Sequence, residues 1–225
     1  MIFGKLAMLF LAVVSTTLAK EEGSIGERKL QWSRNFRVTI TNLSYAQPMS
    51  PFFLMVHGRG VDPIFSLGEA PSAALANLAE NGDASSLQAL YEGTKNVKSV
   101  TIGSGPILPG QSMSYDITIT PQHRWLSLAS MAINTNDCFV GANGVKIRNM
   151  EFSGVGYDAG SEMNNENCNS IPGPFCASID TANQADGNGE GFVHVHRGVH
   201  GISDLDESVT DWRNPMVRVQ MKRIK

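Results

Sequence analysis

Strict two-residue alternation of apolar and polar side chains limits this chain's fold more than any other feature. Phe36-Arg37-Val38-Thr39-Ile40-Thr41, Tyr115-Asp116-Ile117-Thr118-Ile119-Thr120 and Val217-Arg218-Val219-Gln220-Met221 all carry it. Only an extended backbone sends successive side chains to opposite sides, so such stretches form strands with one face buried and the other wet. Shorter or more continuous apolar runs at residues 52–56, 97–102, 125–131, 145–147 and 192–196 add further strand candidates. One region breaks the pattern. Ser72 can cap a helix over residues 73–80 that stops at Asn81-Gly82, and residues 85–91 can add a second turn or two. About eight strands with a short helical insertion predict an all-β antiparallel sandwich rather than alternating βαβ units. The loops 103–111, 154–189 and 198–214 are long, and one the length of 154–189 calls for a staple or a ligand to hold it.

The first 19 residues have the layout of a secretory signal peptide. A single basic residue, Lys5, precedes an apolar run at 6–14, and Thr17-Leu18-Ala19 places small residues at the cleavage positions. That run is well short of the roughly 20 residues a spanning helix requires. We therefore expect cleavage near Ala19, a lead-in over 20–35, one domain over 36–225, and a mature chain without a membrane span. Its location is then secreted, periplasmic or at the cell surface. The 18 Lys and Arg and 21 Asp and Glu give a net charge of −3 and are widely spread, which argues against a nucleic-acid footprint. The small basic group Arg218, Lys222, Arg223 and Lys225 reads as a solvated edge strand. Of the three cysteines, Cys168 and Cys176 flank a loop rich in Pro and Gly and are expected to bridge in an oxidising compartment. Cys138 is then free and buried, although three cysteines permit three pairings.

Two groups of residues bear chemistry. Asp137 closes the segment Ile133-Asn134-Thr135-Asn136-Asp137, while Asp158 and Glu162 lie four apart in Asp158-Ala159-Gly160-Ser161-Glu162. Gly and Ser between two carboxylates let the backbone turn so that both converge, as a hard cation such as Ca2+ requires; the same residues also suit solvated turns. The second group is His194, His196 and His200. His194 and His196 leave the same face of a strand, and imidazoles so placed can share Zn2+ or Cu, or can simply pack and hydrogen-bond. His57 and His123 read as structural. The chain contains no Gly-x-Ser-x-Gly elbow, no His-Glu-x-x-His and no phosphate-cradling loop in strand–helix context.

At these residues the sequence resembles the spondin domain, the module of F-spondin and mindin, over Phe36 to Met221. The similarity rests on ordered blocks. They are the opening strand with Asn42-Leu43, the helix-bearing stretch from Ser66-Leu67-Gly68-Glu69 to Asn81-Gly82-Asp83, Leu126-Ser127-Leu128-Ala129-Ser130-Met131 followed by Asn136-Asp137 and Phe139-Val140-Gly141, and Asp158-Ala159-Gly160-Ser161-Glu162. The resemblance implies a C2-like sandwich with Ca2+ at one end, held by three acidic positions that fall on Asp137, Asp158 and Glu162. Glu162 departs from the animal relatives, which carry Asp there; it keeps the carboxylate with one more methylene. The thrombospondin-type repeats that accompany the domain in animals are not in this sequence, so integrin and matrix partners do not carry over. His194, His196 and His200, with Asp211-Trp212-Arg213-Asn214-Pro215, look like the C-terminal block of bacterial relatives, for which the resemblance implies no role.

The preferred reading is a secreted, non-catalytic, calcium-bearing module for binding or adhesion, with an extracellular protein or glycan as its partner. The alternative is a periplasmic or surface copper- or zinc-binding protein using His194, His196 and His200. A second alternative is a hydrolase built on the same loops.

Overall fold

The computed structural model describes residues 32–177 and 187–225. The expected signal peptide and most of the expected lead-in lie outside the described residues. Among the described residues ten strands form two antiparallel sheets. The first, in the order β4-β1-β10-β7, joins Ser112–Ile119, Arg34–Asn42, Val217–Ile224 and Met150–Gly154. The second, in the order β3-β2-β5-β6-β8-β9, joins Val97–Ile102, Phe53–His57, Trp125–Met131, Cys138–Lys146, Gly156–Asp158 and His194–Val195. This is the all-β sandwich expected from the alternation, with ten strands where about eight were read.

The inward residues of β1, β4 and β10 are Phe36, Val38, Ile40, Tyr115, Ile117, Ile119, Val217, Val219 and Met221, and they pack against Leu54, Val56, Leu126, Leu128 and Val140 of the other sheet. The helices α1 (Ala73–Asn81) and α2 (Ser85–Tyr91) cover the outer face of the six-stranded sheet, burying Leu75, Leu78 and Leu87 against Phe53, Met55 and Phe139. Strands β2 and β5 are therefore buried on both sides. That is why their sequences run as continuous apolar stretches instead of alternating. Ser72 caps α1 through its hydroxyl, and Gly82 ends it at φ 67, as the sequence indicated.

Three expectations need correction. The basic C-terminal strand is not an edge, since β10 lies between β1 and β7. Alternation tells which face is wet, and Arg218 and Lys222 are exposed, but it does not tell what flanks a strand. The strand read at 145–147 is only the tail of β6, which begins at Cys138. The strand read at 192–196 forms ladder pairs with β8 at His194 and Val195, and the His196 N–H still donates to the Gly156 carbonyl (3.0 Å), but Val193 turns away to exchange hydrogen bonds with Gly68 and Glu69. The strands missed altogether, β7 and β8, end and begin on glycines, Gly154 and Gly156. Gly156 is required by packing, not by a turn: a Cβ there would lie 2.6 Å from the Met216 sulfur and 3.2 Å from the Cys138 sulfur.

The long loop after β8 is stapled by a Cys168–Cys176 disulfide, and Cys138 is free and buried, both as expected. A bridge of this kind persists in oxidising compartments. Among the described residues no helix is long and apolar enough to cross a membrane.

Candidate metal centre

The register of β6 and β8 sets Cys138 directly opposite Asp158, which brings Asp137, one residue earlier, alongside it at the end of the six-stranded sheet. The chain then folds back. Gly160 donates its N–H to Asp158 Oδ1 (2.7 Å), while the N–H groups of Ser161 and Glu162 donate to Asp137 Oδ2 (2.8 and 3.0 Å), joined by the Ser161 hydroxyl (3.2 Å). Only glycine fits at 160. Its φ is +71, and a Cβ would lie 2.4 Å from the Phe192 carbonyl oxygen. Asp137 and Asp158 are 0% exposed and Glu162 is 1% exposed. The fold thus sets Asp137 and Asp158 side by side and ties the backbone of Glu162 to Asp137.

Asp137 and Asp158 are short of positive charge. Among the described residues no Lys or Arg pairs with Asp137 or Asp158. Asp137 Oδ2 accepts three hydrogen bonds, but its buried Oδ1 accepts none. Burial and, second, the neighbouring Asp158 push the Asp137 carboxyl up to about 7, against the pull of the donors on Oδ2. Burial also raises Asp158, opposed by the amide of Asn164 and the N–H of Gly160. The Cys138 thiol is held well above its ordinary range by burial and then by the two acids, which makes it an unreactive thiol.

The histidine and acidic groups, separate in the sequence, meet at Asp158. His194 Nε2 lies 3.7 Å from Asp158 Oδ1 and His196 Nε2 lies 3.9 Å from Asp158 Oδ2. The two rings differ. His196 is buried with both nitrogens engaged: Nδ1 accepts from the N–H of Gly198 (2.9 Å), so Nε2 carries the proton and donates to Asn164 Oδ1 (3.1 Å). Burial, followed by the neighbouring His194, lowers its pKa to about 3, so it is a neutral packing residue. His200 stands apart. Its exposed ring is 3.6 Å from Glu166, whose carboxylate mainly gathers the N–H groups of His200 and Ile202 (2.6 and 2.8 Å). The three imidazoles therefore do not share one point in this arrangement.

A different trio does. Among the described residues, Asp158, Glu190 and His194 are the one group of metal-ligating side chains whose ligand atoms all lie within 4.8 Å of one another. The sequence reading passed over Glu190, although its place four residues before His194 was a usable signal. Asn164, which bonds both Asp158 and His196, and Glu166 sit in an Asn-rich run with no periodicity to single them out. Asp158, Asn164, Glu190 and His194 border a pocket of about 510 Å3 that also exposes Phe192, Val195 and Arg197.

His57 lies at the opposite end of the same sheet, about 20 Å away by strand rise. Its Nδ1 donates to the Gly58 carbonyl (2.7 Å), and its Nε2 bonds the Ser127 hydroxyl (2.9 Å), which also accepts the N–H of Gly144 (2.9 Å). This buried chain of bonds spans the register shifts beside Val56 and Leu126, so the Ser–His contact supports strand irregularities. His123 bonds Thr120 within its own turn.

Searched against protein-family models and curated proteins, the chain has no match in either. The resemblance to the spondin domain therefore stands on the sequence blocks alone.

Proposed function

We propose that this chain is an exported, non-catalytic binding module of the spondin type, with its loop end organised by Ca2+ held by Asp137, Asp158 and Glu162. The observation that carries this reading is the buried Asp137 Oδ1, which among the described residues has no hydrogen-bond partner and lies beside a second buried carboxylate with no Lys or Arg paired to either. An unpaired buried charge costs several kcal/mol, and such a group takes a proton or a cation. Carboxylate oxygens presented by turning backbone are the ligands a hard cation takes. Export is supported by the signal-peptide layout of residues 1–19 and by the Cys168–Cys176 bridge. The adjoining pocket, with Phe192, Val195 and Arg197 at its surface, is the place for an extracellular protein or glycan partner.

Calorimetric titration with CaCl2 tests the reading. Wild type takes up one Ca2+ per chain, and Asp158→Ala removes the heat of binding. An isotherm unchanged by Asp158→Ala would sink it.

A further inference from the structure

We infer that Asp158, Glu190 and His194 form a second metal site, for Zn2+ or a comparable first-row divalent ion, on the wall of the pocket. The argument begins with the His194 ring. Its Nδ1 lies 3.1 Å from the Val195 carbonyl oxygen, an acceptor only, so Nδ1 carries a proton and Nε2 is the free ligand atom. A ring held through its far nitrogen by a carbonyl is the arrangement that orients a metal-binding imidazole. That Nε2 faces two carboxylates, at 3.7 Å from Asp158 Oδ1 and 3.8 Å from Glu190 Oε2. Both separations exceed hydrogen-bond reach of about 3.2 Å. They are close to the spacing of two ligand atoms that share an ion. Atoms each about 2.1 Å from one Zn2+, at angles of about 110–120°, stand about 3.4–3.6 Å apart.

The other contacts in the trio leave these atoms available. Asp158 Oδ1 accepts one bond from Gly160, Asp158 Oδ2 is occupied by Asn164, and Glu190 Oε1 receives only a long contact of 3.4 Å from Asn164. The nitrogen ligand sets this site apart from the Asp137 side of the cluster. Imidazole suits Zn2+, Cu2+ or Ni2+, while an all-oxygen set suits Ca2+. Three protein ligands also leave a coordination position open, and it faces the pocket of about 510 Å3. Through it the ion can take an oxygen of a bound partner. This inference shares Asp158 with the calcium reading but rests on different groups.

The test is titration of ZnCl2 into Ca2+-saturated wild type and variants, followed by calorimetry and, with CoCl2 as probe, by visible absorption. Wild type binds one Zn2+ per chain, and the Co2+ form absorbs in the visible. His194→Ala and Glu190→Gln each weaken Zn2+ at least about tenfold and abolish the Co2+ band, because each removes a ligand. Both side chains are partly exposed, so melting curves should show the variants folded. His200→Ala leaves Zn2+ binding unchanged. Asp137→Asn loses Ca2+ yet keeps Zn2+, so the two readings fail separately. Zn2+ binding that is equally tight in His194→Ala and Glu190→Gln, or no saturable Zn2+ binding by folded wild type, overturns the inference.

Discussion

Asn134 and Asp137 lie three residues apart on one connection, both buried, yet their surroundings are opposite in kind. Around Asn134 every polar side-chain group has a partner. Its amide donates to the Ala46 carbonyl and its Oδ1 accepts from the N–H of Phe175, while its own N–H goes to Gln47 Oε1. Gln47 Nε2 donates to the Thr210 carbonyl, and Asn42 ties the carbonyls of Gln47 and Ile107 to the hydroxyl of Ser44. Around Asp137 the donors are used up on one oxygen, the other has none, and the charge that pushes it up, after burial, is another buried acid. Amides bring donors and acceptors together, so they close a network; carboxylates bring acceptors only. A closed neutral network is scaffold, and an open anionic one takes a proton or a cation.

Breaking the closed side should cost most. Gln47→Ala strands the Asn134 N–H and the Thr210 carbonyl and should lower stability by about 3 kcal/mol, equally with and without Ca2+. Denaturant melts in both conditions check this, and a loss seen only with Ca2+ would merge the two networks. The Cys168→Ser/Cys176→Ser pair acts on the same side, since Phe175 inside that loop bonds Asn134. Closing so short a loop is worth about 2–3 kcal/mol, and the melt should fall by that amount.

On the open side the sign reverses. Asp137→Asn removes an uncompensated charge beside Asp158, so at pH 8 without Ca2+ it should stabilise the protein by about 1 kcal/mol while abolishing any Ca2+ response. Destabilisation by this change would contradict the account of the orphaned oxygen. The wild-type pH profile carries the same sign. The Asp137 carboxyl titrates higher in the folded protein, at about 7, than its ordinary value of 3.8. The folded state therefore holds a proton that the unfolded chain has already released. Ca2+-free stability should fall as pH rises from about 4 to about 7, and saturating Ca2+ should remove that fall. Smallest of all, His200→Ala should change stability by less than about 0.5 kcal/mol, because its ring is exposed and lies outside both networks.

The sequence made the sandwich legible where one side of a strand is wet: β1, β4 and β10 alternate, and α1 carries its own cap and stop residues. It concealed β7 and β8 because Gly154 and Gly156 look like loop, yet Gly156 is set by the sulfurs packed against it. Asp137, Asp158 and His194 were all legible as chemistry-bearing residues, and the resemblance already implied that Asp137 and Asp158 come together, as the β6–β8 register sets them. The meeting of His194 with Asp158 was not legible, because it depends on β9 joining that edge across a gap of more than thirty residues. Nor could spacing separate His194 from His196: both leave one face, and only the bonds from Gly198 and to Asn164 take His196 out of play.

The central claim is that the loop end is completed by a cation, and the melting temperature of wild type against Ca2+ tests it most directly. Binding to the native state alone adds about 2.7 kcal/mol at a hundredfold excess over Kd. For a domain of this size that raises the melting temperature by about 5–10 °C. The account predicts that rise in wild type and its absence in Asp137→Asn; a wild-type melting temperature that does not move with Ca2+ at pH 8 would contradict it.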